Sequence, residues 1–272
     1  TPQQKAKQKV YFIGLGMDRF ANAAYNLNYS VKDIRDLAAK MKLRYGDMLE
    51  TDTLFNENLT PENIRSLKNK LLASGVNDRV IVAYSGHGLL SSNYDYYLST
   101  YRVNFDKPEE NGLPYEALED LLDSIPARQK LMLIDACHSG EVDKEEQLQI
   151  TRVADSLGLS RGARITTGAD TTKPHLGLNN SFELMQHTFV NVGKGTGATV
   201  ISASAGTQFA LERGDLKNGV FTFCILEAMN DNSAMTVSQL KNRVGRRVTD
   251  PTGGLQKPSS RGETLYHDWR VW

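Results

Sequence analysis

Cysteine is scarce in this 272-residue chain: there are two, Cys137 and Cys224. Two cannot make a disulfide framework, so a reducing compartment, the cytoplasm, is the expected location. Charge of one sign is also lacking. Lys+Arg and Asp+Glu each number 32, which argues against nucleic acid or a membrane surface as the main partner. No apolar run approaches the roughly 20 residues of a membrane span. The N-terminal stretch Thr1–Lys9 is polar and basic without the apolar centre of a signal peptide, and reads as a linker. The missing initiator Met implies a longer parent chain. No internal repeat, zinc-type Cys/His spacing or EF-hand pattern occurs. Gly14-Leu15-Gly16 lacks the rest of a dinucleotide fingerprint and reads as a strand-end turn.

What is present is ordinary for a folded domain: 40% apolar and 24% charged residues, enough for a full α/β core. One domain is expected over residues 10–272. Val10–Leu15, Met48–Phe55, Arg79–Tyr84, Lys130–Asp135 and Ala198–Ala203 read as strands, and Tyr96–Val103 as a small hairpin strand. A helix starts near Ser30, a candidate cap, with Val31, Ile34, Leu37, Ala38 and Met41 at helical spacing. Thr60-Pro61 opens a second helix. Further helices are expected over Pro114–Ile125, Gly219–Met229 and Thr236–Val248, the last with a Thr236/Gln239 capping box. Strands alternating with helices predict a mostly parallel sheet with helices on both faces. From Glu141 to Gly197 periodicity is poor and Gly, Thr, Asn and charge are frequent. So long a connection in a compact domain predicts a functional or mobile segment.

Two strands run into reactive sequences, Ser85-Gly86-His87-Gly88 and Asp135-Ala136-Cys137-His138-Ser139-Gly140. In parallel sheets ligands bind at the carboxyl ends of strands, so His87 and Cys137 meet at one edge if these strands are neighbours. Acyl transfer by a cysteine needs a thiolate, a proton-transfer group and donors for the oxyanion. Cys137 and His87 fit the first two roles, and the amides of Gly88 and Cys137 the third.

This pair of motifs, 50 residues apart, resembles the caspase superfamily, whose members carry a similar spacing, and is closest to metacaspases and their bacterial caspase-like relatives. Asn28–Ile34, Ser202-Ala203-Ser204-Ala205 and Gly219-Val220-Phe221-Thr222 fall in family order, so the resemblance covers about Val10 to Trp272. It implies a caspase-like three-layer α/β sandwich and a cysteine endopeptidase acting on protein or peptide substrates. Caspases carry Gln two residues before the nucleophile, where this chain has Asp135. In the family that position faces the P1 side chain, and a carboxylate there favours Arg or Lys over Asp. Metacaspases place a second acidic residue before the first helix, and Asp33 matches it. Ser204 is implied as a further residue of this S1 pocket. The segment 141–197 corresponds to the linker cut in caspase activation, making Arg152, Arg161, Arg164 and Lys173 candidate self-processing sites. No cofactor is required. The resemblance leaves calcium open, since many metacaspases need it, with Asp106, Glu109 and Glu110 as candidate ligands. It also leaves room for a regulatory domain or partner subunit.

Blander readings compete. Cys137 taken alone would be a buried, inert cysteine, and Asp135 a capping or packing carboxylate. Cys224, mid-helix beside Phe221, Phe223 and Leu226, reads as core. His138 reads as structural, and His175, His187 and His267 as surface residues. Competing functions are a caspase-like peptidase with a non-basic P1 preference and a catalytically silent caspase-fold interaction module. The charge of the pocket, set by Asp135, separates the first; loss of His or Cys would mark the second, and both are present.

Overall fold

The computed structural model describes residues 8–93, 95–136, 159–161, 196–203, 211–231, 233–249, 252, 256, 258–262 and 268–272. Along the chain these form β1 (Val10–Gly16), α1 (Ser30–Tyr45), β2 (Leu49–Phe55), α2 (Pro61–Leu71), β3 (Arg79–Gly86), the short strands β4 (Gly88–Leu90), β5 (Tyr96–Leu98) and β6 (Leu113–Pro114), then α3 (Glu116–Leu122) and β7 (Gln129–Ala136). There follow β8 (Leu159–Arg161), β9 (Ala198–Ser202), β10 (Leu211–Arg213), β11 (Asn218–Gly219), α4 (Val220–Asn230), α5 (Val237–Thr249) and β12 (Ser259–Gly262). The central sheet has the order β12-β9-β7-β3-β1-β2. All its pairs are parallel except β12–β9. Two three-stranded sheets, β11-β10-β8 and β4-β5-β6, stand apart from it.

Strand periodicity produces the layers. Phe12, Ile81 and Leu131 pack with Ile34, Leu37, Phe221 and Leu240, which puts α1, α4 and α5 on one face. Their neighbours Ile13, Val82 and Met132 point the other way, against Ile64, Leu67, Leu118 and Leu121 of α2 and α3. Strands buried on both faces read as unbroken apolar runs, which is why Arg79–Tyr84 and Lys130–Asp135 were legible. Each fully buried Leu in these layers, such as Leu118, contributes about 2 kcal/mol of transfer free energy. The result is a three-layer sandwich with a mostly parallel sheet.

Two helix starts follow the sequence. Thr60 Oγ1 accepts from the Asn63 amide at 3.2 Å, with Pro61 in the first turn. Thr236 and Gln239 form a reciprocal capping box, at 2.9 and 3.3 Å.

Other expectations need correction. Ser30 does not cap α1: it is the first helical residue and is buried, and Tyr29 before it makes no side-chain cap. The amides of Asn28 and Tyr29 donate instead to the Glu212 carboxylate. The helix expected over Pro114–Ile125 is shorter. Pro114 pairs with Tyr97 in β6, and beyond Leu122 the chain turns extended at Asp123 and left-handed at Ser124, φ 58°. The strand expected over Tyr96–Val103 ends at Leu98. Strands β8, β10, β11 and β12, of two to four residues, are too short to register as periodicity.

Candidate active site

The register of the sheet sets up the site. β3 and β7 are hydrogen-bonded neighbours, and Gly86 pairs with Ala136. These two residues directly precede His87 and Cys137 in sequence. Cys137 itself lies outside the described residues.

His87 is buried, with its ring 5.2 Å from that of Phe20 and 5.4 Å from that of Phe105, on which Tyr25 stacks at 3.6 Å. Its Nε2 lies 2.8 Å from the Tyr25 carbonyl oxygen. A carbonyl only accepts, so Nε2 carries the proton and the lone pair of the neutral ring sits on Nδ1. Nδ1 has no hydrogen-bond partner among the described residues. Burial pushes the imidazole down to about 4, against the opposing pull of the Tyr25 carbonyl. The ring is thus a neutral base, oriented by one backbone acceptor. The loop carrying that acceptor is held by Asn26 Oδ1, which accepts from the Phe20 amide at 2.9 Å, and by the Ala21 amide donating to Tyr101 at 2.8 Å. Gly88 is buried at the start of β4.

On the opposite face of the sheet lies an acidic group. Asp33, in the first turn of α1, is 1% exposed. Its carboxylate accepts from Asn218 Nδ2 at 2.7 Å, from the Gly219 amide at 3.2 Å and from Ser85 Oγ at 3.3 Å. Asp135, near the end of β7, is 7% exposed. Its Oδ2 accepts from Thr222 Oγ1 at 2.6 Å and the Thr222 amide at 3.2 Å, in the first turn of α4. A Cβ on Gly219 would stand 2.6 Å from Asp135 Oδ2 and 3.0 Å from Asp33 Oδ2, so the two carboxylates converge where only glycine leaves room. Burial, and then the Asp135 charge, hold Asp33 well above the usual carboxylate range. Burial pushes Asp135 up to about 6, with the Thr222 hydrogen bonds opposing and the Glu212 charge adding to the rise. Glu212, buried on β10, is also raised, mainly by burial. Among the described residues no Lys or Arg pairs with Asp33 or Asp135. Such a cluster suits a guest that brings its own positive charge.

The structure therefore brings Asp33 and Asp135 together, and sets His87 and Gly88 at the same strand ends on the other side. Asp33 stands within α1 rather than before it. Asp106, Glu109 and Glu110 lie exposed on the loop before β6. Glu110 there is engaged by Asn104 at 2.8 Å and Lys107 at 3.7 Å. Among the described residues no group of three or more His, Cys, Asp or Glu is placed to hold a metal ion. Ser204, Arg152, Arg164 and Lys173 lie outside the described residues, as do His138, His175, His187 and His267. Arg161 ends β8, which pairs antiparallel with β10. Cys224 is buried in α4 and its thiol is pushed up to about 12, mainly by burial, as a core cysteine should be. Sequence reasoning missed Glu212, Asn218 and the Tyr25 carbonyl. Glu212 and Asn218 flank a turn whose Arg213-Gly214-Asp215 reads only as a polar loop, and a backbone carbonyl leaves no side-chain signature.

A family model described as the caspase domain matches residues 13–269. Among solved structures, the crystal structure of a Geobacter sulfurreducens protein resembles this fold with a TM-score of 0.62 and 20% identity, covering 93% of this chain and 92% of that one. Among curated proteins none matches the chain.

Proposed function

The chain belongs to the caspase-domain family of cysteine peptidases, and on that premise we propose that it is an endopeptidase cleaving proteins after Arg or Lys through Cys137 and His87. The observation that carries the P1 assignment is the convergence of Asp33 and Asp135 at Gly219, buried and without a cation among the described residues. A guanidinium or ammonium entering there relieves the repulsion between the two carboxylates, whereas an Asp side chain adds to it. Glu212 adds a third acidic group, and Ser204 is proposed to line the same pocket.

In the proposed mechanism the Cys137 thiolate attacks the scissile carbonyl carbon. The amides of Gly88 and Cys137 donate to the oxyanion, each worth on the order of 3 kcal/mol in other proteases. His87, with Nε2 tied to Tyr25, takes and returns the proton at Nδ1: it protonates the leaving amine and then draws a proton from the water that hydrolyses the thioester.

Self-processing after Arg161, or after Arg152, Arg164 or Lys173, belongs to the same proposal, because these residues match the acidic P1 pocket. Two measurements test the function. Hydrolysis of a fluorogenic library varied at P1 should favour Arg and Lys; a preference for Asp, or for Leu, overturns the basic specificity. Intact-mass spectrometry should find cuts in the active protein that Cys137→Ala lacks; equal cutting in both overturns self-processing.

A further inference from the structure

The peptide groups of His87 are gripped from beneath the site. The His87 amide donates to Ser99 Oγ at 3.2 Å. Ser99 Oγ lies 2.9 Å from the Tyr84 hydroxyl, and that hydroxyl lies 3.0 Å from the His87 carbonyl oxygen. Ser99 is fully buried and Tyr84 is 1% exposed, so neither hydroxyl has water as an alternative partner. Only one assignment of protons uses each donor once and closes the loop. His87 N–H donates to Ser99 Oγ, Ser99 O–H to Tyr84 Oη, and Tyr84 O–H to the His87 carbonyl. The Ser99 carbonyl oxygen, 3.3 Å from Tyr84 Oη, is the longer alternative. A second strut, from the Ser99 amide to the His87 carbonyl at 2.9 Å, reinforces the loop.

We infer that Tyr84 and Ser99 are positioning residues for His87, closing a ring of hydrogen bonds that starts and ends on its own backbone. Donors and acceptors running in one direction round a ring polarise one another, and the buried setting strengthens each bond. The ring fixes both peptide groups flanking the His87 Cα, and so the direction in which the imidazole leaves the chain. It also fixes the carbonyl of the His87–Gly88 peptide, whose N–H is the proposed oxyanion donor. The local sequence is built round it. The Tyr84 phenol folds back under the turn, so a Cβ on Gly86 would meet Tyr84 Oη at 2.5 Å. Met17 packs at 3.2 Å from the same point. Tyr84-Ser85-Gly86-His87 therefore works as a unit: the glycine makes room for the phenol that holds the histidine.

The activity arm of the test rests on the peptidase reading; a second arm does not. Tyr84→Phe, Ser99→Ala and the double variant are assayed on an Arg peptide. Each single change should lower kcat about tenfold with KM within about twofold, since the P1 carboxylates lie on the other face of the sheet. The double variant should fall no more than about threefold below the worse single, because a ring is broken only once. Unchanged kcat in both singles, or multiplying losses, overturns the inference. If Ser99→Ala does not fold, Tyr84→Phe, which keeps every ring carbon, carries the test. If the wild-type protein cleaves no peptide, the peptidase reading fails, and nitrogen NMR of labelled histidine decides the ring by itself. The wild type should show His87 as a single tautomer protonated at Nε2, and Tyr84→Phe a mixture; identical spectra overturn the inference.

Discussion

Two regions meet at the carboxyl edge of this sheet, and adjacent residues serve opposite ones. Tyr84 reaches down one face to brace His87, while Ser85, one residue on, donates to Asp33 on the other. Ala136 faces the α2–α3 core and Asp135 the first turn of α4. The histidine side is held at its backbone and at Nε2. Its backbone groups and Nε2 have partners, and the ring is held neutral by burial. The carboxylate side lacks its countercharge: Asp33 and Asp135 are paired with dipoles but with no cation among the described residues. Period-2 alternation lets two short sequences present a histidine site on one face and a carboxylate pair on the other. Changes on the first side should alter rate, and changes on the second should alter which substrate is accepted.

The largest expected effects fall on the proposed catalytic pair. Cys137→Ala should abolish turnover, because no other side chain forms the thioester. His87→Ala should lower kcat by about 100- to 10,000-fold, from loss of proton transfer. Both losses should be the same for Arg and Leu substrates. Steady-state kinetics on the purified variants gives the answer, and full activity in Cys137→Ala would end the assignment.

Next in size is Asp135→Asn. It should lower kcat/KM for Arg substrates about 100-fold and leave Leu substrates within about threefold. The same change should raise thermal stability by about 5 °C at pH 7, since it removes a buried charge that repels Asp33. Activity and stability moving in opposite directions is the mark of a pocket that waits for a ligand. Calorimetry beside the kinetics checks this, and a loss of stability would show that the carboxylate is structural.

Acid separates the two regions in smaller steps. Asp135 sits at about 6, above the ordinary 3.8. Ionisation therefore opposes folding, and its effect on stability is a gain as pH falls through 6 towards 3.8. His87 sits at about 4, below the ordinary 6.5. The unfolded chain takes up a proton that the folded ring refuses, so stability is lost as pH falls from 6.5 towards 4. Asp33 and Glu212, raised in the same way, add to the acid gain, so the carboxylate side outweighs the single histidine and the wild-type melting temperature should rise as pH falls through that window. Asp135→Asn should make that rise shallower, since one of the raised carboxylates is gone. For catalysis, kcat/KM on Arg substrates should fall about tenfold from pH 7 to pH 5, as the pocket carboxylate protonates. Leu substrates should lack that limb. An identical acid limb for both substrates would place the titrating group on the histidine side instead.

What the sequence made legible follows the same division. The strands leading into His87 and Cys137 were readable because buried parallel strands are continuous apolar runs and small residues mark their ends. Asp33 was reached only through resemblance, although its spacing of four from Leu37 and eight from Met41 puts it on the buried face of α1. Glu212 was not readable at all. It meets Asn28 and Tyr29 across more than 180 residues of chain and anchors the approach to α1 rather than capping it. Ser99 falls outside the periodic stretch of β5, and its value lies in facing the His87 peptide, a contact made by a hairpin rather than by spacing.

The smallest effect is the most diagnostic. Thr222→Val keeps the shape of the side chain and removes the hydroxyl that donates to Asp135 Oδ2 at 2.6 Å, leaving the Thr222 amide at 3.2 Å in place. That hydroxyl favours the charged carboxylate, so without it the Asp135 pKa rises further above about 6. At pH 7 a larger share of the pocket is then protonated, and kcat/KM for Arg substrates should fall about two- to threefold. At pH 8.5, where the carboxylate is ionised in both proteins, the variant should match the wild type. Leu substrates should be unaffected at either pH, and so should the rate at which iodoacetamide alkylates Cys137. A deficit that persists at pH 8.5 would mean that Thr222 shapes the pocket by packing, and a slowed alkylation would mean that the two faces of the sheet are coupled.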